Sequence, residues 1–290
     1  MKSLSPITVS LTFVLLLSSA CAVSKASPTS SPPPTKAEPT RTPQPTDIPG
    51  ASVRLKILYD NTTEDPRLTV QWGFAALVEY KGHTVLFDTG LDGPSLLGNM
   101  EVLGVAPESI EAIVLSHEHG DHTGGLQDLL ATGIHPKIYI PAAMAGKVTQ
   151  AQREQHTIIE VSDSVEIVPG MFSTGEISGS VPEQGLVVKT TEGIVVITGC
   201  AHPGIVKMVE RSSEIVDGEI ALVVGGFHLG NHNSGQIDSI IADFRSMGVK
   251  QVTPTHCTGE EQIAQIAEAY GEDYIPGGAG QVIVIGDLAP

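Results

Sequence analysis

The stretch VLSHEHGDHTGG, residues 114–125, places three of the chain's ten histidines within six positions. These are His117, His119 and His122, and Asp121 lies among them. Imidazoles are seldom chosen to fill a protein core, and a solvated loop gains little from them. We therefore interpret the stretch as a cluster of ligands that converge on an acceptor of electron pairs, namely a metal ion.

The spacing of these side chains predicts two neighbouring metal positions. His117 and His119 are two residues apart, so on an extended loop both imidazoles can turn to one side and hold one cation. Asp121 and His122 follow where the chain turns into a helix, and they point to a second position. Imidazole beside carboxylate suits zinc, with iron and manganese as alternatives. Two such cations, about 3.5–4 Å apart, would activate a shared water molecule and hold both the entering and the leaving oxygen.

The composition indicates an acidic globular protein with a small-molecule substrate. The 290 residues carry a formal net charge of −17, which argues against a nucleic-acid partner and against binding to anionic lipids through a basic face. A phosphorylated or carboxylated substrate is compatible with this charge, because bound divalent cations reverse the local field. The three cysteines, Cys21, Cys200 and Cys257, are too few for a disulfide framework.

Residues 1–21 have the pattern of a signal peptide. Lys2 precedes an apolar run over residues 7–17, which is too short to span a bilayer comfortably and is followed by Ser-Ser-Ala-Cys. One interpretation is an ordinary secretory signal cleaved near Ala20. The other is a segment that resembles a bacterial lipobox, with Cys21 lipidated, although Ser18 stands where leucine is usual. We predict an exported protein, a cell-surface or periplasmic lipoprotein that meets the membrane only through a lipid anchor at Cys21.

Residues 22–50 are predicted to form a disordered linker. The segment contains eight of the chain's twenty prolines and almost no apolar residues, so it cannot form a packed core. Its prolines favour the extended polyproline conformation, at about 3.1 Å per residue, which would hold a folded domain away from a membrane. The folded domain is then predicted to cover residues 51–290.

From residue 53 onward, short apolar runs alternate with amphipathic segments. Early strands are predicted at VRLKILYD, FAALVEY, HTVLFDTG and EAIVLSH, residues 53–60, 74–80, 83–90 and 111–117. Lys81-Gly82 predicts a tight hairpin between the second and third of them. Helices are predicted over residues 124–133, 204–216, 234–248 and 259–271. Hairpins followed by alternating strands and helices predict a mixed sheet with helices outside it.

Side chains that could do chemistry follow the ends of several predicted strands. They are Asp88, His117, Cys200, His202, His228 and His256. Ends of neighbouring strands gather along one rim of a sheet, where ligand sites in α/β architectures tend to lie. We therefore expect these side chains in one pocket, and we assign the nearby Trp72 to the core rather than to a pocket wall.

Residues 117–122, His-Glu-His-Gly-Asp-His, resemble the HxHxDH signature of the metallo-β-lactamase superfamily. Asp88 in LFDTG is similar to that family's aspartate at the end of an early strand. The resemblance runs from about Val53 to the C-terminus. It implies an α+β fold, a four-layer αββα sandwich of two stacked sheets flanked by helices, with two divalent metal ions. It also implies that Asp88 orients a ligand imidazole through its distal N–H.

Three further segments resemble one branch of the superfamily, which includes the archaeal dihydropterin ribofuranosylaminobenzene 5′-phosphate synthase. They are ITGCAHPGI, GGFHLG and PTHCTG, residues 197–205, 225–230 and 254–259. This likeness implies two sets of metal ligands, the first of His117, His119 and His202 and the second of Asp121, His122 and His256.

Two residues keep more than one interpretation. Cys200 stands where the superfamily usually has an aspartate that bridges the metals, so its thiolate is the bridge or the thiol is a buried side chain that contacts no metal. His228 is a metal ligand, a donor that steadies negative charge developing on the substrate, or a purely structural residue. We take Asp121 and His228 as the catalytic candidates.

The leading functional hypothesis is an exported metal-dependent hydrolase with a binuclear site, in which a metal-bound hydroxide attacks an ester, phosphoester, lactone or amide. The alternative is a metal-dependent transferase of the dihydropterin ribofuranosylaminobenzene 5′-phosphate synthase type, which an exported location disfavours. A third hypothesis is a lipoprotein that binds a metal or a small molecule without turnover. An open coordination position would favour catalysis over this third role.

Overall fold

Two β-sheets form the centre of the fold. The computed structural model describes residues 52–286, so the predicted signal peptide (1–21) and linker (22–50) lie outside the described residues. Within this range the first sheet has seven strands, namely β1 Val53–Tyr59, β2 Ala75–Tyr80, β3 His83–Phe87, β4 Ala112–Val114, β5 Lys137–Pro141, β6 Ile158–Val161 and β13 Val282–Ile285. The second has six, namely β7 Val165–Val168, β8 Met171–Ser173, β9 Leu186–Lys189, β10 Ile194–Thr198, β11 Ile220–Gly226 and β12 Gln251–Thr255.

Both sheets mix parallel and antiparallel strands. In spatial order the first reads β13-β1-β2-β3-β4-β5-β6 and the second reads β12-β11-β10-β9-β8-β7. Strands β3 to β6 run parallel to one another, as do β10 to β12. The carboxyl ends of β3 and β4 therefore meet at one edge of the first sheet, and those of β10, β11 and β12 meet at one edge of the second.

The hairpin predicted at Lys81-Gly82 joins β2 to β3. Both residues have positive φ, 52° and 80°, as a type I′ turn requires. Tyr80 pairs with His83 directly across the turn. The paired strands continue to Phe87, and this places the following Asp88 at the end of β3.

The sheets pack on each other through one apolar core. Leu55 of β1 and Val78 of β2 belong to the same buried cluster as Val188, Val195 and Val224 of the second sheet. Because neighbouring residues of a strand point to opposite faces, half of each central strand enters this core. The other half faces outward and is covered by helices.

Helices cover both outer faces of the sheets. Within residues 52–286 they are α1 Gly93–Val102, α2 Gly120–Thr123, α3 Leu126–Ala131, α4 Gln150–Gln155, α5 Ile205–Ile215, α6 Ser234–Ser246 and α7 Glu260–Tyr270. Leu96 of α1 and Leu129 of α3 share a buried cluster with Ile113 of the first sheet. Met208 of α5 and Ile237 of α6 pack against the second sheet. The four layers confirm the predicted αββα sandwich.

The sequence explains where the longer helices form. In α5, Ile205, Met208, Val209 and Ser212 are buried, and the spacing i, i+3, i+4, i+7 gives one continuous buried stripe. Helix α6 begins with a capping box in which Asn233 bonds the backbone N–H of Gln236. No helix within residues 52–286 combines the length and the apolar character needed to cross a membrane.

Candidate metal centre

The predicted site residues meet at the rim where strand ends of the two sheets face each other. The loop after β4 carries four of them, Asp88 follows β3, His228 follows β11, and the loops after β10 and β12 carry the others. The structure places their ligand atoms in three overlapping groups, each with all atoms within 4.8 Å of one another, and two of these groups share no residue. We call these two groups the imidazole set, His117, His119 and His202, and the mixed set, Asp121, His122, Cys200 and His256.

The imidazole set brings three ring nitrogens together. His117 Nε2 lies 3.1 Å from His119 Nδ1. The ring centroid of His202 lies 4.7 Å from that of His117 and 4.8 Å from that of His119. His202 Nε2 is buried and has no hydrogen-bond partner among the described residues. Buried polar atoms are normally satisfied, so this nitrogen indicates a position for a ligand that protein atoms do not supply.

The mixed set joins two imidazoles, a carboxylate and a thiol. His122 Nε2 lies 3.2 Å from both Cys200 Sγ and His256 Nε2. Asp121 Oδ2 lies 3.7 Å from His122 Nε2 and 3.4 Å from His256 Nε2. Nitrogen, oxygen and sulfur donors in one group are typical of sites for zinc and related first-row metals.

The protonation states of these groups suit a cation. Burial, followed by the facing rings of His122 and His202, lowers the pKa of His117 far below its usual range. Burial, followed by His228, lowers the pKa of His202 to about 4. Burial acts to raise the pKa of Asp121, but His256 and His122 outweigh it and hold that pKa below its usual range. Burial acts to lower the pKa of His122, but the Asp88 carboxylate outweighs it and raises that pKa. His117 and His202 are therefore neutral imidazoles and Asp121 is an ionised carboxylate, the forms that bind metals, and the residues of the cluster fit divalent cations.

Asp88 orients two of the histidines, in the position predicted for it. Its Oδ1 accepts a hydrogen bond from the backbone N–H of Ser116 at 2.6 Å, and its Oδ2 accepts one from the Ser116 hydroxyl at 2.7 Å. Asp88 Oδ2 also lies 2.7 Å from His122 Nδ1, and Ser116 Oγ lies 2.9 Å from His117 Nδ1. His117 and His122 thus contact the Ser116 and Asp88 oxygens through Nδ1, and both direct Nε2 toward the cluster.

Glu183 supports the site, although no sequence motif pointed to it. This fully buried carboxylate accepts hydrogen bonds from four successive backbone N–H groups at 2.9–3.1 Å, those of Gly199, Cys200, Ala201 and His202. Its Oε2 lies 4.0 Å from His117 Nδ1. Burial raises the pKa of Glu183 to about 7. The residue fixes the loop that presents Cys200 and His202.

Asn61, at the end of β1, supports His256 in a similar way. Its Oδ1 lies 3.1 Å from His256 Nδ1, and its Nδ2 donates to the His256 carbonyl oxygen at 2.8 Å. The same Oδ1 accepts a hydrogen bond from the backbone N–H of Gly73 at 3.1 Å. His256 consequently directs Nε2 toward Asp121 and His122. The sequence analysis did not single out Asn61.

Backbone strain is concentrated at this rim. Four residues other than glycine have positive φ there: Asp88 at 58°, Ala201 at 60°, His228 at 54° and His256 at 51°. A left-handed conformation costs about 1–3 kcal/mol at such a residue and persists where the surroundings enforce it. Strained residues of this kind cluster at functional sites, which agrees with the position of the ligand sets.

His228 lies at the exposed side of the cluster. Its ring centroid is 4.4 Å from that of His202, and its ligand atom lies within 4.8 Å of those of Cys200 and His202. A hydrogen bond with Cys257 raises the pKa of His228. A cavity of about 320 Å³ opens beside it, lined by His202, Ile205, Phe227, His228 and Leu229 among others. His228 is therefore placed where a small molecule would meet the cluster.

Trp72 corrects one expectation. The sequence analysis assigns this residue to the core, but its side chain is 56% exposed, and its ring centroid lies 4.9 Å from that of His256. The neighbouring Phe74 is the buried member of the pair. Gly73 lies between them with a φ of 145°, a value open mainly to glycine. Trp72 thus forms an aromatic wall beside the mixed set.

Comparison with known proteins agrees with this arrangement. A family model of the metallo-β-lactamase superfamily matches residues 73–243. The 7,8-dihydropterin-6-methyl-4-(β-D-ribofuranosyl)-aminobenzene-5′-phosphate synthase of Methanocaldococcus jannaschii is 30% identical over 263 residues, which cover 73% of this chain and 90% of that protein. The crystal structure of Tm1679, described as a metal-dependent hydrolase of the β-lactamase superfamily, is 29% identical, with a TM-score of 0.68 over 81% of this chain and all of its own. Human tRNase Z, short form, is 17% identical over 82% of this chain and all of its own; with a TM-score of 0.52, it shares the fold alone.

These matches confirm both resemblances that the sequence motifs indicate, to the superfamily and to its dihydropterin synthase-like branch. The family model covers the segment from the start of β2 into helix α6, including the entire 117–122 cluster. The fold and the sequence match lead to the same conclusion: this chain belongs to the metallo-β-lactamase superfamily.

Proposed function

We propose that the protein is a metal-dependent hydrolase that holds one divalent cation in the imidazole set and a second in the mixed set. The observation that carries the proposal is the convergence of seven donor side chains into these two groups. The imidazole set offers three nitrogens, the number that catalytic zinc sites take from the protein while one position stays open to water or substrate. Zinc is the proposed metal because imidazole and thiolate donors favour it.

When bound, the cations would supply Lewis acidity toward a substrate oxygen and lower the pKa of a water molecule. The chain's own residues orient the reactants. Asp121, whose side chain is 16% exposed, is the carboxylate of the mixed set, and we assign it a hydrogen bond from an entering water. His228, whose pKa a hydrogen bond with Cys257 raises, donates a hydrogen bond from a ring N–H to the substrate oxygen on which negative charge develops.

The proposed substrate is a small ester, phosphoester, lactone or amide. The cavity beside His202 and His228 has a volume of about 320 Å³, at the lower end of the range of small-molecule sites. Apolar side chains of Ile205, Phe227 and Leu229 line it beside the two histidines. A ring N–H of His228 in the wall of the cavity favours substrates that carry or develop negative charge.

Activity against a panel of phosphoesters, lactones and β-lactams tests the proposal. The full chain is freed of metal by chelation and then reloaded with zinc, manganese or iron. We expect turnover only in the reloaded protein, and a loss of about a hundredfold or more in Asp121→Asn. The exposed Asp217→Asn serves as the matched control with unchanged turnover. Equal rates with and without chelator would overturn the metal-dependent mechanism.

A transferase of the dihydropterin synthase type is the second candidate. It is supported by the 30% identity to the Methanocaldococcus jannaschii synthase over 73% of this chain. Incubation of the zinc-loaded protein with a dihydropterin diphosphate and a ribosylaminobenzene phosphate distinguishes the two, because only the transferase releases pyrophosphate together with a product in which the pterin is joined to the aminobenzene. Tight metal binding without turnover in either assay would contradict both and favour the non-catalytic binding role.

A further inference from the structure

A second cavity, of about 340 Å³, lies beside the loop that carries the 117–122 cluster, within the outer helical layer of the first sheet. Part of its wall is apolar and includes Leu126 and Leu130 of α3, Ile138 and Ile140 of β5, and Met144, and the rest carries polar side chains such as those of Glu118, Gln127 and Gln155. Among the described residues, no member of the imidazole set or the mixed set lines it. The cavity is therefore separate from the metal centre, and its volume is in the range of small-molecule sites.

The polar groups of this cavity include two nitrogen donors. Lys147 lines it with a side chain that is 68% exposed, and its Nζ lies 3.5 Å from Oε2 of Glu118. His156, the C-cap of α4, also lines it. His156 Nδ1 is buried and has no hydrogen-bond partner among the described residues. A buried ring nitrogen without a partner is unusual in a native protein, and it indicates a position for a polar atom of a ligand.

The chemistry of the lining selects the ligand class. An aliphatic wall favours a hydrocarbon, since burial of apolar surface is the main favourable term. A carboxylate accepts hydrogen bonds from an ammonium group and from an imidazole N–H at the same time. Glu118 also lines the cavity and pairs with Lys147. An amine would have to compete with Lys147 for this carboxylate, whereas a ligand carboxylate finds two nitrogen groups, those of Lys147 and His156.

We infer that this cavity binds a medium-chain aliphatic or aryl carboxylate, with its hydrocarbon between Leu130 and Ile140 and its carboxylate at Lys147 and His156. At the roughly 30 Å³ that a water-sized group occupies, the cavity holds about eleven non-hydrogen atoms, and octanoate has about ten. Bound octanoate shares Lys147 with Glu118, the residue between His117 and His119. It contacts this loop and needs no cation, so the inference does not depend on the proposed hydrolase function.

Calorimetric titration of the metal-free full chain with sodium carboxylates tests the inference. From butanoate to hexanoate to octanoate, we expect binding to tighten about three- to fourfold per methylene, as burial of one CH₂ group predicts. Octanol, with the same number of carbons and no charge, should bind at least tenfold more weakly. An absence of octanoate binding, or equal binding of octanol and octanoate, would overturn the assignment.

Two variants locate the site. Leu130→Trp fills the cavity and should weaken octanoate binding more than tenfold, whereas Val165→Trp, at an exposed position of β7, should leave it unchanged. Lys147→Gln keeps the apolar wall and should also weaken octanoate binding severalfold, without an effect on octanol. Lys147→Gln is an exposed substitution, so it keeps the test decisive if the tryptophan variant does not fold. Octanoate affinity that neither substitution changes would place the carboxylate elsewhere and reject the site.

Discussion

Asp88 and Glu183 show, at the scale of single residues, how differently two buried carboxylates can be read from a sequence. Asp88 follows an apolar strand and precedes Thr-Gly, a pattern that marks a strand-end residue, and its role was predicted. Glu183 lies in the sequence VPEQG, and its partners are backbone N–H groups 16–19 residues away. Backbone donors are the same in every residue, so no side-chain pattern indicates that a glutamate will bind them.

We predict that Asp88→Asn weakens metal binding. In Asp88 both side-chain oxygens accept hydrogen bonds, from Ser116 and on the side of His122 Nδ1. In asparagine one of these two atoms is an NH2 group, which donates, so one of these contacts is lost. Loss of such a supporting contact typically lowers metal affinity ten- to a hundredfold. Competition with a chromogenic chelator measures this change, with Asp217→Asn, on the surface, as control. Equal zinc affinity in the two variants would show that Asp88 does not orient a ligand.

We predict that Glu183→Ala destabilises the metal-free fold by about 3–5 kcal/mol, because four buried N–H groups lose their acceptor. Urea unfolding of the metal-free chain measures the free energy of unfolding. Glu210→Ala, at an exposed position of α5, is the control and should change stability by less than about 0.5 kcal/mol. A small effect in both variants would mean that water replaces the carboxylate.

At the scale of elements, the strongly patterned segments were predictable and the short or weakly amphipathic ones were not. Helices α5, α6 and α7 lie within the ranges predicted for them. Helix α1 was missed, because two glycines interrupt its GPSLLGNMEV sequence and weaken its apolar stripe. Its N-terminal signal was present: Asp92 bonds Ser95 N, and Pro94 follows at the first turn. The three-residue strand β8, MFS, is too short to show a period.

The turn between α2 and α3 supports a matched pair of glycine substitutions. A Cβ on Gly124 would lie 1.9 Å from the carbonyl oxygen of Leu91, whereas a Cβ on Gly120 would meet nothing within 4 Å. We predict that Gly124→Ala destabilises the protein by about 3 kcal/mol through overpacking. Gly120→Ala should be neutral or stabilising by up to about 1 kcal/mol, because alanine favours a helix. Urea unfolding of both variants measures the difference, and equal stability would disprove the close packing of this turn.

At the scale of the whole molecule, the two ligand sets connect the sheets. The 117–122 loop follows a strand of the first sheet, and His202 and His256 follow strands of the second. These long-range contacts could be predicted only through the resemblance to the superfamily. His117 and His202 are 85 positions apart and His122 and His256 are 134 apart, and spacing along the chain carries no information about contacts at such separations. The tilted ring contact of Trp72 with His256 was missed for the same reason.

We predict that zinc raises the thermal midpoint of unfolding, because cations bound to both sheets stabilise only the folded state. A cation at a hundred to a thousand times its Kd contributes about 3–4 kcal/mol, which corresponds to roughly 6–16 °C for a domain of this size. His202→Ala should reduce this shift, and His135→Ala, at an exposed position, should retain it. Scanning fluorimetry with and without zinc measures the midpoints. Equal midpoints in the wild-type protein would contradict cation binding across the sheets.

We also propose export with a lipid anchor, on the pattern of residues 1–21, and this leads to a prediction about Cys21. In a bacterial host fed radiolabelled palmitate, the full chain should carry the label and sediment with membranes, because a buried acyl chain contributes about 0.8 kcal/mol per CH₂. Cys21→Ser should lose both properties, and Cys257→Ser should retain them. Label that persists in Cys21→Ser would reject the lipobox interpretation and leave simple secretion.

The pairing of β1 with β13 brings the two ends of the described fold together, and this determines the side from which the fold can be attached to a surface or to another protein. Val53 pairs with Ile285, so both ends of the described fold emerge side by side. The other end of β1, about 20 Å away at 3.3 Å per residue, leads to Asn61 and His256. A tether at either end of the described residues, to a bead, a fused carrier or a bilayer, consequently holds the fold by the edge remote from the candidate metal centre, which stays open to diffusing molecules.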